Sequence, residues 1–170
     1  MLSKDVFSTV VKNAPLVAVD FIIQNLRREV LLGKRRNRPA QGFYFTFGGI
    51  VNKDERIDDA IRRVSKNELG YEFHRSDLEF NGVFEFFYEE NFLNEEEFTT
   101  HYIVLSFVFM DEQGVIHPEM CHENNTYMNQ HSDFIWLKVE DVLRDGSMHQ
   151  DLKTMLRGQN SLHTSRGLFS

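Results

Sequence analysis

The position of Glu68 in the sequence suggests a functional role for its carboxylate. The segment 57–69 has apolar residues at the spacing of one helix face, among them Ile57, Ile61 and Val64. Glu68 falls on this same face in the last helical turn, where burial and the helix macrodipole both disfavour a negative charge. Its position indicates either a carboxylate that binds a cation or a helix end that emerges from the core into solvent.

Asp20 is a second acidic residue that interrupts an apolar pattern. It lies within the β-rich segment 16–24, and on a strand its side chain shares a face with Ala18 and Ile22. A carboxylate on an apolar face needs a partner. The sequence leaves two alternatives open, a buried salt bridge with one of the arginines or a contact with a substrate.

A third signal is a spacing of glycine, acidic and basic residues around the same helix. It consists of Gly49, Glu55, Arg63 and the run Glu68-Leu69-Gly70. This spacing closely resembles the Nudix box, a loop-helix-loop motif that binds a divalent cation and a diphosphate. Val64 and Asn67 stand where the family pattern has glutamates, so Glu68 alone remains of the acidic cluster.

Further segments between about residues 5 and 137 are similar to one branch of the Nudix superfamily, the GDP-mannose mannosyl hydrolases, which carry the same thinned box. The similar segments are 15–17, Asp20-Phe21, 31–35, 37–42, Asn91-Phe92, 98–102 and Gln130-His131. The resemblance implies a Nudix fold, which is a mixed β-sheet packed between helices. It does not extend to residues 138–170.

The resemblance implies a single Mg²⁺ ion, with Mn²⁺ able to substitute for it. The ligands would be the backbone carbonyl of Gly48, the carboxylate of Glu68 and the side chain of Gln130. All three are oxygen donors, which Mg²⁺ prefers. A thinned acidic cluster suits one cation, because fewer carboxylates are needed once a diphosphate supplies oxygens.

The resemblance also implies roles for residues outside the box. His131, expected in a loop, corresponds to the general base, and an unperturbed imidazole pKa of about 6.5 suits deprotonation of water at neutral pH. From the residues alone, it is an ordinary polar loop residue. Arg35 corresponds to a contact with the leaving diphosphate. Asp20 would face the sugar, and Tyr102 would hydrogen-bond the phosphates unless it is ordinary strand packing.

Four further residues are candidate substrate contacts, and three of them have a simpler alternative. Tyr88 corresponds to a sugar-side or phosphate-side position, although ordinary strand packing would also explain it. Arg36 and Arg38 are either substrate contacts or solvated loop cations. Phe7 would help to stack a guanine across the interface of a homodimer, the assembly that the resemblance implies.

Two positions depart from the pattern of these hydrolases. Ile50 stands where the family has an arginine that contacts the diphosphate, and Phe86 stands where it has a histidine. One phosphate contact is therefore missing. The alternatives are that Arg36 or Arg38 replaces it, that turnover is slower, or that the substrate binds in a different position. The preferred sugar stays open.

Together these residues predict a Mg²⁺-dependent enzyme that hydrolyses a GDP-hexose to GDP and free sugar. Water would attack the anomeric carbon with inversion, and the substrate would be GDP-mannose, with GDP-glucose and GDP-fucose as alternatives. A second hypothesis is a Nudix pyrophosphatase that releases GMP and a sugar phosphate. A third is a non-catalytic domain that binds nucleotide sugars, although binding alone has no use for a general base.

The pattern of apolar residues predicts the elements that position these side chains. Helices are expected over 3–13, 57–69 and 139–156, with Gly70 ending the second. Strands are expected over 16–24, 30–33, 43–47, 80–88, 99–110 and 134–137, with Gly48-Gly49 ending the third. Strands that alternate with a few helices indicate an α/β protein in the form of an α+β sandwich.

Composition favours one globular domain over residues 1–170 and excludes several functions. The chain has 19 Lys and Arg against 26 Asp and Glu, and its net charge of −7 argues against a nucleic-acid partner. Its one cysteine, Cys121, excludes an internal disulfide. No apolar run reaches the roughly 18 residues that span a bilayer, so we expect a cytoplasmic protein without a membrane partner.

Overall fold

The computed structural model describes residues 3–93, 98–117 and 131–160, without the side chains of residues 159 and 160. In these ranges the helices are α1 (Lys4–Asn13), α2 (Ile57–Leu69), α3 (Val139–Arg144) and α4 (Gln150–Asn160), with a 3₁₀ turn at Arg75–Asp77. The strands are β1 (Leu16–Asn25), β2 (Glu29–Arg35), β3 (Tyr44–Phe45), β4 (Phe47–Ile50), β5 (Leu78–Tyr88), β6 (Thr100–Asp111) and β7 (His131–Lys138). None of these helices is long and apolar enough to cross a membrane.

Within the described ranges the strands form one mixed sheet. Its main order is β3-β2-β1-β6-β5, while β4 pairs with β1 and β7 pairs with β2. β1 and β6 run parallel, from Leu16 opposite Tyr102 to Asn25 opposite Asp111, and the other pairs are antiparallel. β1 therefore lies in the middle of the sheet, with bonded strands on both sides.

Two apolar clusters cover the two faces of this sheet. Val19, Phe21 and Ile23 of β1 pack in one cluster with the apolar side of α2. Ala18 and Ile22 pack in the other cluster with α3 and α4. This alternation follows from the strand period of two, because a central strand is buried on both faces. A mixed sheet packed between helices confirms the predicted α+β sandwich.

α2 has the bounds that the sequence predicts. Asp58 and Asp59 lie in its first turn, where the helix macrodipole favours negative charge. Gly70 ends the helix with a φ of 70°, a left-handed conformation that glycine adopts without strain. The buried side of α2 consists of Ala60, Ile61, Val64, Ser65, Glu68 and Leu69. The helical phase that places Glu68 with the apolar residues is thus confirmed.

Gly48 and Gly49 do not end a strand, which corrects the prediction. The expected strand 43–47 is replaced by β3 and β4, and both glycines lie within β4 opposite Asp20 and Val19. A Cβ at Gly48 would lie 1.7 Å from Oδ1 of Asp20. Glycine is required here because a side chain of the neighbouring strand comes close to the backbone, and not because the chain turns.

The predicted helix 139–156 is two helices, α3 and α4, with a turn between them. The Asp145 carboxylate accepts hydrogen bonds from the backbone N–H of Ser147 at 2.8 Å and from its hydroxyl at 2.7 Å. Such local bonding offers the backbone an alternative to the helix. The break places His149 directly before α4.

β7 is longer than the predicted strand 134–137 and begins at His131. His131 pairs with Arg35 of β2, so its side chain is positioned by the sheet and not by a loop, which corrects the expectation. The apolar pattern that predicts strands does not reach His131, because Ser132 and Asp133 follow it in the chain.

Candidate functional site

Glu68 lies in the last turn of α2 and is buried, with 6% of its surface exposed. Its Oε2 atom lies 3.4 Å from Nδ1 of His131. This is an ion-pair distance without hydrogen-bond geometry, since neither atom has a hydrogen-bond partner within the described residues. The alternative of a solvated Glu68 at an emerging helix end is therefore wrong.

The imidazole of His131 is enclosed by residues of β2, β4 and α2. Gly33 approaches it so closely that a Cβ on Gly33 would lie 2.7 Å from the Cβ of His131. The ring of Phe47 meets it edge-on, with ring centroids 5.1 Å apart. Burial lowers the pKa of His131, the Glu68 carboxylate opposes this shift, and Arg35 adds to it. The neutral imidazole, which can accept a proton, is favoured.

Asp20 lies in the middle of β1 and is half-buried. Its Oδ2 accepts a hydrogen bond from the hydroxyl of Thr46 at 3.3 Å. Burial raises the pKa of Asp20 to about 6, and the Arg35 charge and the Thr46 hydrogen bond oppose this shift. The Glu68 charge adds to it. Asp20 is thus within electrostatic range of both Arg35 and Glu68, and its salt-bridge alternative has no ion pair to support it among the described residues.

Arg35 supplies the positive charge of this cluster from the end of β2. Its Nε donates to the carbonyl of Pro39 at 2.9 Å, and its Cζ lies 5.8 Å from the ring centroid of Phe45. The groups whose pKa values it acts to lower are Asp20, Tyr88, Tyr102 and His131. The structure therefore brings Arg35 together with four of the residues that the sequence predicts for the site.

Tyr88 of β5 and Tyr102 of β6 lie near this charge, with ring centroids 6.1 Å apart and ring planes at 84°. Burial raises the pKa of both phenols. Arg35 opposes the shift in both cases, and Asp20 adds to it. Both phenols stay protonated at neutral pH. The Tyr88 hydroxyl donates to Asp151, and the Tyr102 hydroxyl can donate a hydrogen bond to an oxygen of a ligand.

Two polar residues next to Tyr88 belong to no motif that would identify them from the sequence. The ring of His149 lies 5.8 Å from that of Tyr88. The charge of Asp151, and a hydrogen bond that its carboxylate accepts from the Tyr88 hydroxyl, add to burial in raising the pKa of Tyr88. The sequence predicts one continuous helix over 139–156, in which both residues would be ordinary mid-helix positions. The run Asp145-Gly146-Ser147, which is rich in turn formers, is the signal that could have located them after a turn.

The remaining predicted substrate contacts are not joined to this cluster by the described contacts. Phe7 of α1 packs against Phe92, with ring centroids 4.7 Å apart. Arg38 donates from Nη1 to Oε2 of Glu90 at 2.8 Å, and Arg36 is exposed. Neither arginine has a described contact that replaces the phosphate contact missing at position 50.

Two of the three predicted metal ligands lie within the described residues. Glu68 offers a buried carboxylate oxygen that has no hydrogen-bond partner in the described ranges, and Gly48 lies in β4 opposite Asp20. Gln130 lies outside the described residues. The residues described contain no group of three or more His, Cys, Asp or Glu side chains that could hold a metal. Within the described residues, one carboxylate and one carbonyl fit a single hard cation that takes further oxygens from substrate.

The other charged residues of the box have a structural role. Arg63 donates from Nε to Oε1 of Glu55 at 2.6 Å and from Nη2 to Oε2 at 2.8 Å. The Arg63 Nη2 also donates to the carbonyl of Ile50 at 2.8 Å. The backbone N–H of Asn52 donates to Oε2 of Glu55 at 2.8 Å. This pair joins α2 to the end of β4 and the loop that follows it.

The sequence matches the family model described as NUDIX domain over residues 14–158. The chain therefore belongs to the Nudix hydrolase superfamily, whose members typically cleave the pyrophosphate bond of nucleoside diphosphate derivatives and generally use a divalent metal such as Mg²⁺. A single domain that occupies all of residues 1–170 stays a prediction.

Three known proteins illustrate these similarities. The chain is 38% identical to the low-salt glycan biosynthesis protein Agl8 of Haloferax volcanii over 113 residues, which cover 65% of this chain and 69% of that protein. It is 41% identical to an ADP-ribose pyrophosphatase of Methanocaldococcus jannaschii over 56 residues, which cover 33% of this chain and 32% of that protein. The crystal structure of a MutT protein from Methanosarcina mazei Go1 has a TM-score of 0.63 at 19% identity, covering 87% of this chain and 96% of that chain. The structural likeness supports the Nudix fold.

Proposed function

We propose that this chain is a Mg²⁺-dependent hydrolase of GDP-hexoses that releases GDP and the free sugar, with GDP-mannose as its first candidate substrate. The observation that carries the proposal is the buried Glu68–His131 pair, whose facing atoms lack hydrogen-bond partners among the described residues. Such a pair costs stability, and a bound cation and substrate would offset that cost. Local rules of packing are commonly broken in this way at functional sites.

The thinned acidic set favours cleavage at the sugar over cleavage at phosphorus. Val64 stands at a glutamate position of the box and is part of the apolar core on the α2 side of the sheet. A Cβ on Gly49 would lie 3.1 Å from a Val64 methyl carbon, so the Val64 side chain packs against β4. Valine has no atom that can bind a metal. Attack of water at phosphorus is best served by two metal ions that share the charge. Glu68 alone suits a site that holds GDP as a leaving group.

Each residue of the cluster has a role in the proposed reaction. Arg35 stabilises the charge that develops on GDP as the bond from the anomeric carbon to the phosphate oxygen breaks and GDP takes the electron pair. His131 accepts a proton from the water whose oxygen bonds to the opposite face of that carbon, so configuration inverts. Asp20 stabilises positive charge on the sugar ring. Glu68 and the carbonyl of Gly48 would hold Mg²⁺, which would supply charge neutralisation at the diphosphate.

Similarity to known proteins supports a sugar-containing substrate without identifying it. The Haloferax volcanii relative is named for glycan biosynthesis, and nucleotide sugars belong to that chemistry. Tyr102 and Tyr88 as phosphate or sugar contacts, Gln130 as a third metal ligand and Phe7 as a guanine contact in a homodimer remain part of the proposal. The same holds for Arg36 and Arg38 as substrate contacts.

Pyrophosphatase action, giving GMP and a sugar phosphate, is the second candidate. It is the usual chemistry of the family, and the match to an ADP-ribose pyrophosphatase favours it. Both reactions use a divalent cation and a diphosphate site, but they break different bonds. The position of the new oxygen atom therefore distinguishes them.

Hydrolysis in ¹⁸O-labelled water tests the proposal. With Mg²⁺ and GDP-mannose, GDP-glucose or GDP-fucose, we expect the label in the free sugar and none in the nucleotide, and early NMR spectra should show the inverted anomer. Label in GMP or in a sugar phosphate would overturn sugar cleavage and establish the pyrophosphatase. Glu68→Gln should lose the labelled product, whereas Glu72→Gln, which changes an exposed acid just beyond α2, should retain it.

A further inference from the structure

His149 lies in an aromatic environment at the start of α4. Its ring is 5.1 Å from the ring of Phe43, 5.6 Å from that of Phe45 and 5.8 Å from that of Tyr88, measured between centroids. About a fifth of its side chain is exposed, at 21%, and the same value holds for Asp151. The two polar side chains thus lie beside a cluster of aromatic rings and are partly exposed to solvent.

The local hydrogen bonding assigns a donor to His149, and the Asp151 carboxylate, which accepts a hydrogen bond from the Tyr88 hydroxyl, has further acceptor sites. The backbone N–H of Asp151 donates to Nδ1 of His149 at 3.2 Å, so in the neutral ring Nε2 carries the proton. The Asp151 Oδ2 lies 3.6 Å from the same Nδ1, beyond a hydrogen bond. An imidazole N–H and a carboxylate held two residues apart can donate to and accept from neighbouring hydroxyl groups.

Two aromatic residues join this pair to the proposed catalytic cluster. Phe45 lies under the Arg35 guanidinium, at 5.8 Å, and also contacts His149. Tyr88 contacts His149. The charges of Asp151, Arg35 and Asp20 all act on the pKa of its phenol. The pair therefore shares its aromatic neighbours with the Arg35 cluster, and it belongs to residues 138–170, to which the sequence resemblance assigns no role.

A hexose has apolar C–H groups and several hydroxyls. Aromatic rings provide contact area for the C–H groups, and a few fixed polar groups select the hydroxyls. We propose that His149 and Asp151 bind hydroxyls of the hexose, between the rings of Phe43 and Tyr88, and that they set which sugar the enzyme accepts. This inference rests on the proposed function, since it takes a nucleotide sugar as the ligand.

Two substitutions test the subsite without removing the start of α4. Asp151→Asn preserves the size of the side chain and removes its charge. His149→Asn removes the ring and its Nε2 donor, yet asparagine can still accept the hydrogen bond from the backbone N–H of Asp151. The matched control is Asp58→Asn, because Asp58 is an exposed acid in the first turn of α2 and has the same relation to a helix macrodipole.

We expect each variant to lower kcat/KM for GDP-mannose roughly 10- to 100-fold, because a site that hydrogen-bonds a substrate hydroxyl discriminates strongly. Inhibition by GDP should stay within about twofold of wild type, and the ratio of kcat/KM for GDP-mannose to that for GDP-glucose should change. If the two residues had a merely structural role, the substitutions would weaken inhibition by GDP and lower kcat/KM for GDP-mannose to a similar extent. That outcome, or unchanged kinetics with both sugars, would overturn the subsite, and Asp58→Asn should alter neither quantity.

A binding measurement separates the subsite from the reaction. Calorimetry with GDP-mannose and with GDP, in Mg²⁺ and in a His131→Gln background where turnover is slow, reports the contribution of the sugar whichever bond the enzyme breaks. The background protein should bind GDP-mannose more tightly than GDP, and adding either His149→Asn or Asp151→Asn should remove that difference. Equal affinities in the background protein would overturn the subsite even if labelled water shows sugar cleavage. Conversely, label in GMP would overturn the proposed reaction while a sugar-dependent affinity upholds the subsite.

Discussion

Glu55 and Glu68 lie at opposite ends of α2, and their surroundings differ completely. Glu55 accepts hydrogen bonds from the Nε and Nη2 of Arg63 and from the backbone N–H of Asn52. Glu68 is more deeply buried, and its Oε2 has no hydrogen-bond partner among the described residues. Both glutamates match the box spacing equally well. Only the contacts show that one carboxylate serves the scaffold and the other is available to a ligand.

This difference shows how one short motif can combine two kinds of charge. The Glu55–Arg63 pair stabilises the loop and helix whether or not a ligand is bound, since its partners come from the chain itself. The pair of Glu68 and His131 has no such complement. Substitutions in the Glu55–Arg63 pair should therefore mainly lower stability, whereas substitutions in the Glu68–His131 pair should mainly lower activity.

The largest expected effect is at His131. His131→Gln should lower kcat by a factor on the order of 10²–10⁴, because the proposed general base is removed. Inhibition by GDP should change far less, since His131 acts on water and not on the nucleotide. A kcat within a few fold of wild type would assign the proton transfer to another group.

Glu68→Gln should lower Mg²⁺-dependent turnover by about 100-fold at limiting Mg²⁺, with partial recovery at higher concentration, because one anionic ligand is lost. The thermal midpoint should stay constant or rise, since the change removes a buried charge that lacks hydrogen bonds. Turnover like that of wild type at limiting Mg²⁺ would show that Glu68 does not bind the metal.

The smallest effect is expected at Glu55. Glu55→Gln should lower the free energy of unfolding at neutral pH by about 1 kcal/mol, because the paired Arg63 is partly exposed and solvent screens the interaction. Activity should change little beyond that loss. Asp54→Asn, at a neighbouring exposed position, is the matched control and should leave the free energy of unfolding unchanged.

The Glu55 effect should depend on pH. Hydrogen bonds from Arg63 hold the folded pKa of Glu55 below its ordinary value of 4.5. The stabilisation is therefore complete above pH of about 4.5 and disappears as the pH falls through the folded pKa. Denaturation curves at several pH values should show the difference between wild type and Glu55→Gln shrinking in acid. A constant difference down to low pH would contradict an ionic origin.

Local patterns predict the fold well where the chain obeys them. The helical phase of α2, its end at Gly70 and the burial of Glu68 all follow from a period of 3.6 residues and the chirality of the backbone. The strand that contains Asp20 likewise follows from a dense run of apolar residues. These features depend on residues close together in sequence.

Features that depend on distant residues could not be read from local patterns. Gly48 resembles a strand terminator until the close approach of Asp20 is known. His131 resembles a loop residue until its pairing with Arg35 is known. His149 carries no signal of its own, because its neighbours come from β3 and β5. The resemblance to a known family located most of the cluster, but it assigned nothing in the C-terminal helices.

The contact between Gly48 and Asp20 also limits how this sequence can change during evolution. Shortening the side chain at position 20 would open space, yet a Cβ at position 48 would still lie 2.7 Å from the carbonyl oxygen of Val19. No substitution elsewhere removes a backbone atom. A lineage that keeps this pairing of β1 and β4 must therefore keep glycine at position 48.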